Sequence, residues 1–317
     1  VKDKKMSLTL VNYSCVSHEV SQFAMRKTAE VVPATKALFF SDKEPLIYKR
    51  DFDFHKIESL HFPNIEEQRQ VFIKEYVNFF IKKVNDYIDT EFMLIVQHDG
   101  MAVNKEYWTD EFFDYDYIGA PSVYNSKNVT LELKYHDKYN IDPNKKSWYN
   151  GNGGFSLRSK KLLKALASDD RIPIIIEMIS RKTNIPYELP VDDGVICIIC
   201  RDILEKDHGI KFAPVELAMQ FACDEAVTHS SLGFHGLHNI PLFLTDKECL
   251  YVLKNINHRH LGSNWNVYGK LMGNLYASRH HESFIYCEEN IGAFSDWTKN
   301  ILNQAPTEVF KEHEWKL

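Results

Sequence analysis

No apolar run in the 317-residue chain is long enough to cross a bilayer. The basic opening V-K-D-K-K is not followed by the apolar stretch and cleavage site of a secretory leader, so the expectation is a cytoplasmic chain. A peripheral contact with the inner face of the membrane, through an amphipathic helix, stays open. Basic excess is missing too: the net charge is -6 and the pI about 6.2, which argues against a nucleic-acid partner. Repeats and low-complexity tracts are absent. Only one C-x-x-C occurs among six cysteines, Cys197 and Cys200 within V-I-C-I-I-C-R-D-I-L. A zinc ribbon needs a second such pair, so buried, reduced thiols on an apolar helical face are expected. After the first apolar run comes N-Y-S-C-V-S-H, not the glycine-rich basic loop of a nucleotidyltransferase. Aromatics, by contrast, are plentiful, with 16 Tyr and 20 Phe.

The apolar runs alternate with helical periodicity. Leu8–Val11, Ala37–Phe40 and Phe92–Val96 read as short buried strands, with a further strand expected over Ile57–Leu60. Helical stretches are expected over Glu19–Val31, closed by Pro33, and after Asn64, where Val71, Tyr76, Phe79, Phe80 and Val84 recur at helical spacing. Strand, helix, strand, helix, strand predicts an α/β fold with a mostly parallel sheet. Residues 124–148 turn polar and aromatic without periodicity, as a lid or a surface excursion would. Phe155–Leu157 is strand-like, Ser159 is placed to cap a helix over Lys160–Ala167, and Asp192-Asp193-Gly194 opens a helix to about Lys206. Phe212–Pro214 is strand-like. Strand signals fade after His238, so the expected organisation is a catalytic α/β domain over 1–240 and a mainly helical extension over 241–317.

Chemistry concentrates in four runs: Q-H-D-G at 97–100, N-G-G-F-S-L-R at 152–158, V-D-D-G at 191–194 and G-F-H-G at 233–236. In an open α/β sheet, ligands bind beyond the carboxyl ends of strands, where Asp99 and His98 stand. A sugar-nucleotide substrate needs its diphosphate neutralised by a divalent cation. Asp99 and His235 suit Mn²⁺ or Mg²⁺, the diphosphate and water completing the shell. An acceptor hydroxyl must then lose a proton, and Asp193 is the candidate base, with Asp192 in support. Gly153 and Gly154 let the backbone approach the donor sugar where a Cβ would collide. Val11, Asn12, Tyr13, Asp42, Gln97 and His98 are the expected remaining contacts to the nucleotide-sugar. Each residue also has a plainer use. Asp193 suits a helix start, His235 a satisfied core site, His98 a place under the sheet, and N-G-N-G-G a hairpin turn. The adjacent pair His280-His281 would point apart on a helix. Four runs in the order that one reaction requires favour chemistry.

These runs, together with Y-D-Y-I-G-A-P at 115–121 and F-A-P-V-E-L-A at 212–218, resemble a bacterial glycosyltransferase family over about residues 8–240. That family is similar in logic to GT-A-fold enzymes of the fringe and β-1,3-glycosyltransferase type. The resemblance implies a GT-A-like (Rossmann-like) fold and a nucleotide-sugar donor, a UDP-sugar first. It also implies a glycan acceptor, with a surface polysaccharide as the product by analogy, and an inverting, metal-dependent transfer. It assigns Asp99 to the last acid of the metal motif, Asp193 to the base and His235 to a late metal ligand. Three positions depart from the pattern. Gln97 replaces the first acid of the metal motif, which lowers the expected metal affinity. The acidic pair is Asp-Asp, not Glu-Asp, and Ser122 stands where an aromatic is usual. A non-catalytic glycan-binding module is the rival from another class, since Tyr and Trp stack on sugars. A nucleotidyltransferase is the rival enzyme.

Overall fold

The computed structural model describes residues 6–45, 52–58, 74–121, 151–182, 191–224, 230–256 and 265–291. Two compact units divide the chain, Val1–Gly236 and Leu237–Leu317.

The first unit is built on a six-stranded sheet. In chain order its strands are β1 (Leu8–Ser14), β2 (Lys36–Ser41), β3 (Asp53–Lys56), β4 (Phe92–Val96), β6 (Tyr117–Pro121) and β7 (Gly151–Ser159). A three-stranded sheet combines β5 (Gly100–Ala102) with β8 (Ala222–Cys223) and β9 (Gly233–His235). The large sheet has the spatial order β3-β2-β1-β4-β7-β6. Its first four strands are parallel and β7 runs antiparallel to both neighbours, so the sheet is mostly parallel, as expected. The apolar runs of β1, β2 and β4 are continuous because both faces of the sheet are covered. Helix α1 (His18–Val31) covers one face with Val20, Ala24 and Met25. A helical stretch over 74–87, labelled α2, covers the other, packing Phe79, Phe80 and Val84 on Val11, Leu38, Phe40 and Ile95.

The third parallel strand lies at Asp53–Lys56, earlier than Ile57–Leu60. This edge strand reads D-F-H-K, and its polar residues hid it from an apolar-run criterion. Gly151–Gly154, a turn by composition, is instead the first half of β7. Close strand contact explains its glycines: a Cβ on Gly151 would lie 2.8 Å from the Tyr117 ring. Phe212 makes only an isolated bridge to Tyr117. Asn64 and Val71, residues 124–148 and Ser122 lie outside the described residues.

After β7 come α3 (Lys160–Ser168), α4 (Arg171–Lys182), α5 (Arg201–His208) and α6 (Val215–Phe221). Ser159 does cap α3, accepting from Leu162 N at 3.0 Å while its hydroxyl donates to Asp116 at 2.5 Å. Asp192–Gly194 forms a helical turn that runs through a wide π turn, Val195–Ile199, toward α5. All six cysteines are free, and Cys197 and Cys200 are buried with thiols pushed up to about 12 by burial. Such thiols are inert, which disposes of a redox pair.

The second unit is helical over its described residues: α7 (Ile240–Phe243), α8 (Asp246–Asn255), α9 (Trp265–Ala277) and α10 (His281–Asn290). Thr245 and Glu248 form a reciprocal capping box at the start of α8. The Asp246 carboxylate in turn accepts from Glu282 N and Ser283 N, each at 3.0 Å, tying α8 to the first turn of α10. His280 precedes α10 and His281 begins it. No helix among the described residues is long and apolar enough to cross a membrane.

Candidate functional site

Strand β4 delivers Gln97, His98 and Asp99 at its carboxyl end. The turn there is held by Gly100 N donating to Gln97 O at 3.2 Å, and by Gln97 N donating to Gly154 O at 3.1 Å. Immediately afterwards β5 pairs antiparallel with β9, setting Gly100 opposite His235. Gly236 N also donates to Asp99 O at 2.8 Å. This register brings the two expected metal ligands together: His235 Nε2 is 3.6 Å from Asp99 Oδ1. Beyond β9, parallel β8 pairs Cys223 with Phe234. The next residue, Asp224, therefore reaches the other ring nitrogen, with Oδ2 3.5 Å from His235 Nδ1. The imidazole lies between two carboxylates. Burial works against a charged ring, but Asp99 and then Asp224 outweigh it and push the His235 pKa up to about 9. His98 flanks Asp99 on another side, its Nδ1 4.0 Å from Asp99 Oδ1.

Gly154 closes the floor of this cluster. A Cβ there would collide with Gln97 Oε1 and His235 Nε2. The Gln97 amide faces this point with its oxygen because its nitrogen donates to Tyr76 Oη at 2.7 Å. Gly154→Ala should therefore displace both side chains while the strand conformation tolerates alanine. We expect stability to fall by only about 1–3 kcal/mol, as overpacking does, while the His235 ring resonances shift in NMR spectra. Unmoved ring resonances would mean that the cluster has slack.

One residue earlier, the backbone meets the acidic pair. Gly153 N donates to Asp193 Oδ2 at 2.9 Å, and Gly194 N donates to Asp193 Oδ1 at 2.7 Å. Asp193 is buried. Burial first, then the neighbouring Asp192 charge, raise its pKa to about 6 against the pull of the two amides. Asp192 is ion-paired with the fully buried Arg158. Thus β4, β7, β9 and the Asp192–Gly194 turn bring Gln97, Asp99, Gly153, Gly154, Asp192, Asp193 and His235 into one neighbourhood.

The nucleotide candidates divide. Val11 is core, under α2. Asn12 is fully buried and donates to Val96 O at 2.5 Å, tying β1 to β4. Asp42 Oδ1 lies 2.6 Å from His18 Nε2. Tyr13 lines a cavity of about 670 Å³ shared with Phe40, His55, Phe79, Lys83 and Tyr87. Its ring is 5.9 Å from that of Tyr76, whose hydroxyl contacts Gln97, so the cavity adjoins the Asp99 cluster. Sequence reasoning missed His18, Tyr76, Arg158 and Asp224. Asp224 had one signal, an acid directly after the apolar pair Ala222-Cys223.

Among the described residues no group of three or more His, Cys, Asp or Glu side chains converges as a metal site. The geometry gives the reason: Asp99 and Asp224 lie against opposite nitrogens of His235 and cannot share an ion with it. Two candidate ligands, Asp99 and His235, remain, with the Gln97 carbonyl oxygen facing the same point beside Gly154. That donor set of carboxylate, imidazole and amide oxygen fits a hard divalent cation that takes its other ligands from a diphosphate and water.

The chain belongs to DUF5672, described as a protein of unknown function, whose sequence profile matches residues 51–235. No curated protein matches it. Among solved structures it is similar to the galactosyltransferase LgtC in complex with donor and acceptor sugar analogs. That likeness has 13% identity and a TM-score of 0.41, covering 73% of this chain and 86% of that one. An active-site mutant of LgtC gives 12% identity and a TM-score of 0.38 over the same shares. The bifunctional IspDF from Campylobacter jejuni gives 13% and 0.30, covering 52% of this chain and 44% of that one. These scores are low, and shared function does not follow from them.

Proposed function

We propose that this chain is a glycosyltransferase that moves a sugar from a nucleotide-sugar to a hydroxyl of a glycan, with inversion at the anomeric carbon. The observation that carries the reading is the meeting of Asp99 and His235 at 3.6 Å, beside a glycine whose added Cβ would push on His235 and Gln97. The buried Asp193 stands one residue along the same strand's contacts. In this reading the base and ribose of the donor occupy the aromatic cavity at Tyr13 and Phe40, where flat rings can stack. The diphosphate lies toward Asp99 and His235, which would hold Mn²⁺ or Mg²⁺. When bound, the ion neutralises charge on the departing nucleoside diphosphate. Gly153 and Gly154 serve the site by letting Arg158, Asp192, Gln97 and His235 pack directly on the strand backbone, not by leaving open space for the sugar. Asp193 accepts the proton of the acceptor hydroxyl as its oxygen bonds to the anomeric carbon. The bond from that carbon to the diphosphate breaks, and its electron pair leaves with the nucleotide. A base near 6 is mostly ionised at neutral pH yet basic enough to take part.

The test is a thermal-shift screen of UDP, GDP and CMP with and without Mn²⁺, followed by assays of donor hydrolysis and transfer. A ligand present at a hundred times its Kd stabilises the native state by about 2.7 kcal/mol. The expected result is a rise in Tm with one nucleoside diphosphate, larger with Mn²⁺, and metal-dependent turnover of its sugar conjugate. Binding of oligosaccharides with no response to any nucleotide would sink the enzyme reading and leave a glycan-binding module.

A further inference from the structure

The N-G-G-F-S-L-R run ends in an arginine wholly removed from solvent. A guanidinium in that position is costly unless its charge is met and its N–H groups have acceptors. Arg158 Nη2 is ion-paired with Asp192 and donates to Gly153 O at 3.4 Å, and Nε donates to Ser156 Oγ at 3.1 Å. The rings of Phe80 and Tyr117 flank it, each with its centroid 5.5 Å from Cζ. Gly153 is consequently gripped from both sides. Its carbonyl accepts from Arg158 and from Ser156 Oγ at 2.9 Å, and its N–H donates to Asp193. Two adjacent buried carboxylates repel, and a single cation reaches only one of them. Here the cation goes to Asp192, and Asp193 has two backbone amides instead.

We propose that Arg158 is a positioning residue for Asp193: it meets the charge of Asp192 and fixes the Gly153 peptide, keeping Asp193 available as a proton acceptor. This rests on the reading of Asp193 as the base. Besides Asp192 and Arg158, the titratable groups near enough to act electrostatically on Asp193 include Tyr76, Tyr117, Cys197 and His235. Burial keeps the two tyrosines and the cysteine neutral at ordinary pH. His235 is charged, but it lies between Asp99 and Asp224 and is unaltered in the variants, so replacing Asp192 or Arg158 reads the effect of that pair on Asp193.

The experiment is ¹³C NMR of the full chain labelled at aspartate carboxyls, with the Asp193 resonance assigned by its loss in Asp193→Asn. In Asp192→Asn the positive Arg158 loses its partner, and the Asp193 midpoint should fall by roughly one to three pH units. In Arg158→Met it should rise by a similar amount. The double variant should return toward the wild type. Should Arg158→Met not fold, Asp192→Asn and the double variant decide, because a buried pair replaced as a whole is tolerated far better than one broken. An unmoved midpoint in Asp192→Asn, or a double variant that keeps the single variant's shift, overturns the proposal. In an active preparation the acid limb of kcat/KM should move with the same signs, which a purely structural arginine would not produce. Titrations that behave as expected while Asp193→Asn stays fully active would leave the charge arrangement standing and remove the base.

Discussion

Asp193→Asn should lower turnover by roughly 10²–10⁴-fold, the usual worth of a positioned acid–base group, while donor binding persists. The substitution keeps the shape and removes the proton acceptor. A carboxylate that merely caps a helix start predicts otherwise, since Asn caps as well as Asp. The local geometry sharpens the contrast. Both oxygens of Asp193 accept from backbone amides, Gly153 N and Gly194 N. An asparagine can satisfy one of these and must turn its own amide toward the other, so a stability loss of about 1–3 kcal/mol is expected as well. Thermal melts separate this modest loss from the kinetic one. The wild-type rate should fall as pH drops through about 6, because the base works only when deprotonated. A fully active variant would remove Asp193 as the base, and a product of retained anomeric configuration would remove the inverting mechanism.

Asp99→Asn should abolish transfer and weaken metal-dependent nucleotide binding by more than about a hundredfold, since even partners behind a metal ligand are worth 10–100-fold. The fold should survive. Asp99 contributes to structure through its backbone, whose carbonyl accepts from Gly236 N at 2.8 Å, and asparagine retains that bond. Calorimetric titration of the nucleoside diphosphate with and without Mn²⁺ gives the binding terms, and circular dichroism checks the fold. Equal binding by variant and wild type would make Asp99 a structural residue.

Much of the scaffold was legible because its signals are local. Leu8–Val11, Ala37–Phe40 and Phe92–Val96 are apolar runs that became β1, β2 and β4 with both faces covered. Ser159 and the helix behind it follow from a hydroxyl ahead of an amphipathic stretch. Strand β3 was displaced because an edge strand needs no apolar run, and β7 was divided because its glycines mimic a turn. The small sheet left no trace. Strands of three, two and three residues have too little length for a period of two to register.

The sequence by itself determined the class of architecture, the core strands and the four runs that carry chemistry, since each depends on neighbours within a few positions. Only the tertiary structure decided how those runs meet. The register of β5 on β9 sets Asp99 against His235, and the parallel partner β8 adds Asp224 behind the ring. The crossing of β7 past the Asp192–Gly194 turn gives Asp193 to Gly153 and Asp192 to Arg158. These contacts join residues far apart in the chain through strand pairing and buried charge. Both are properties of the folded arrangement and leave no periodic mark along the sequence.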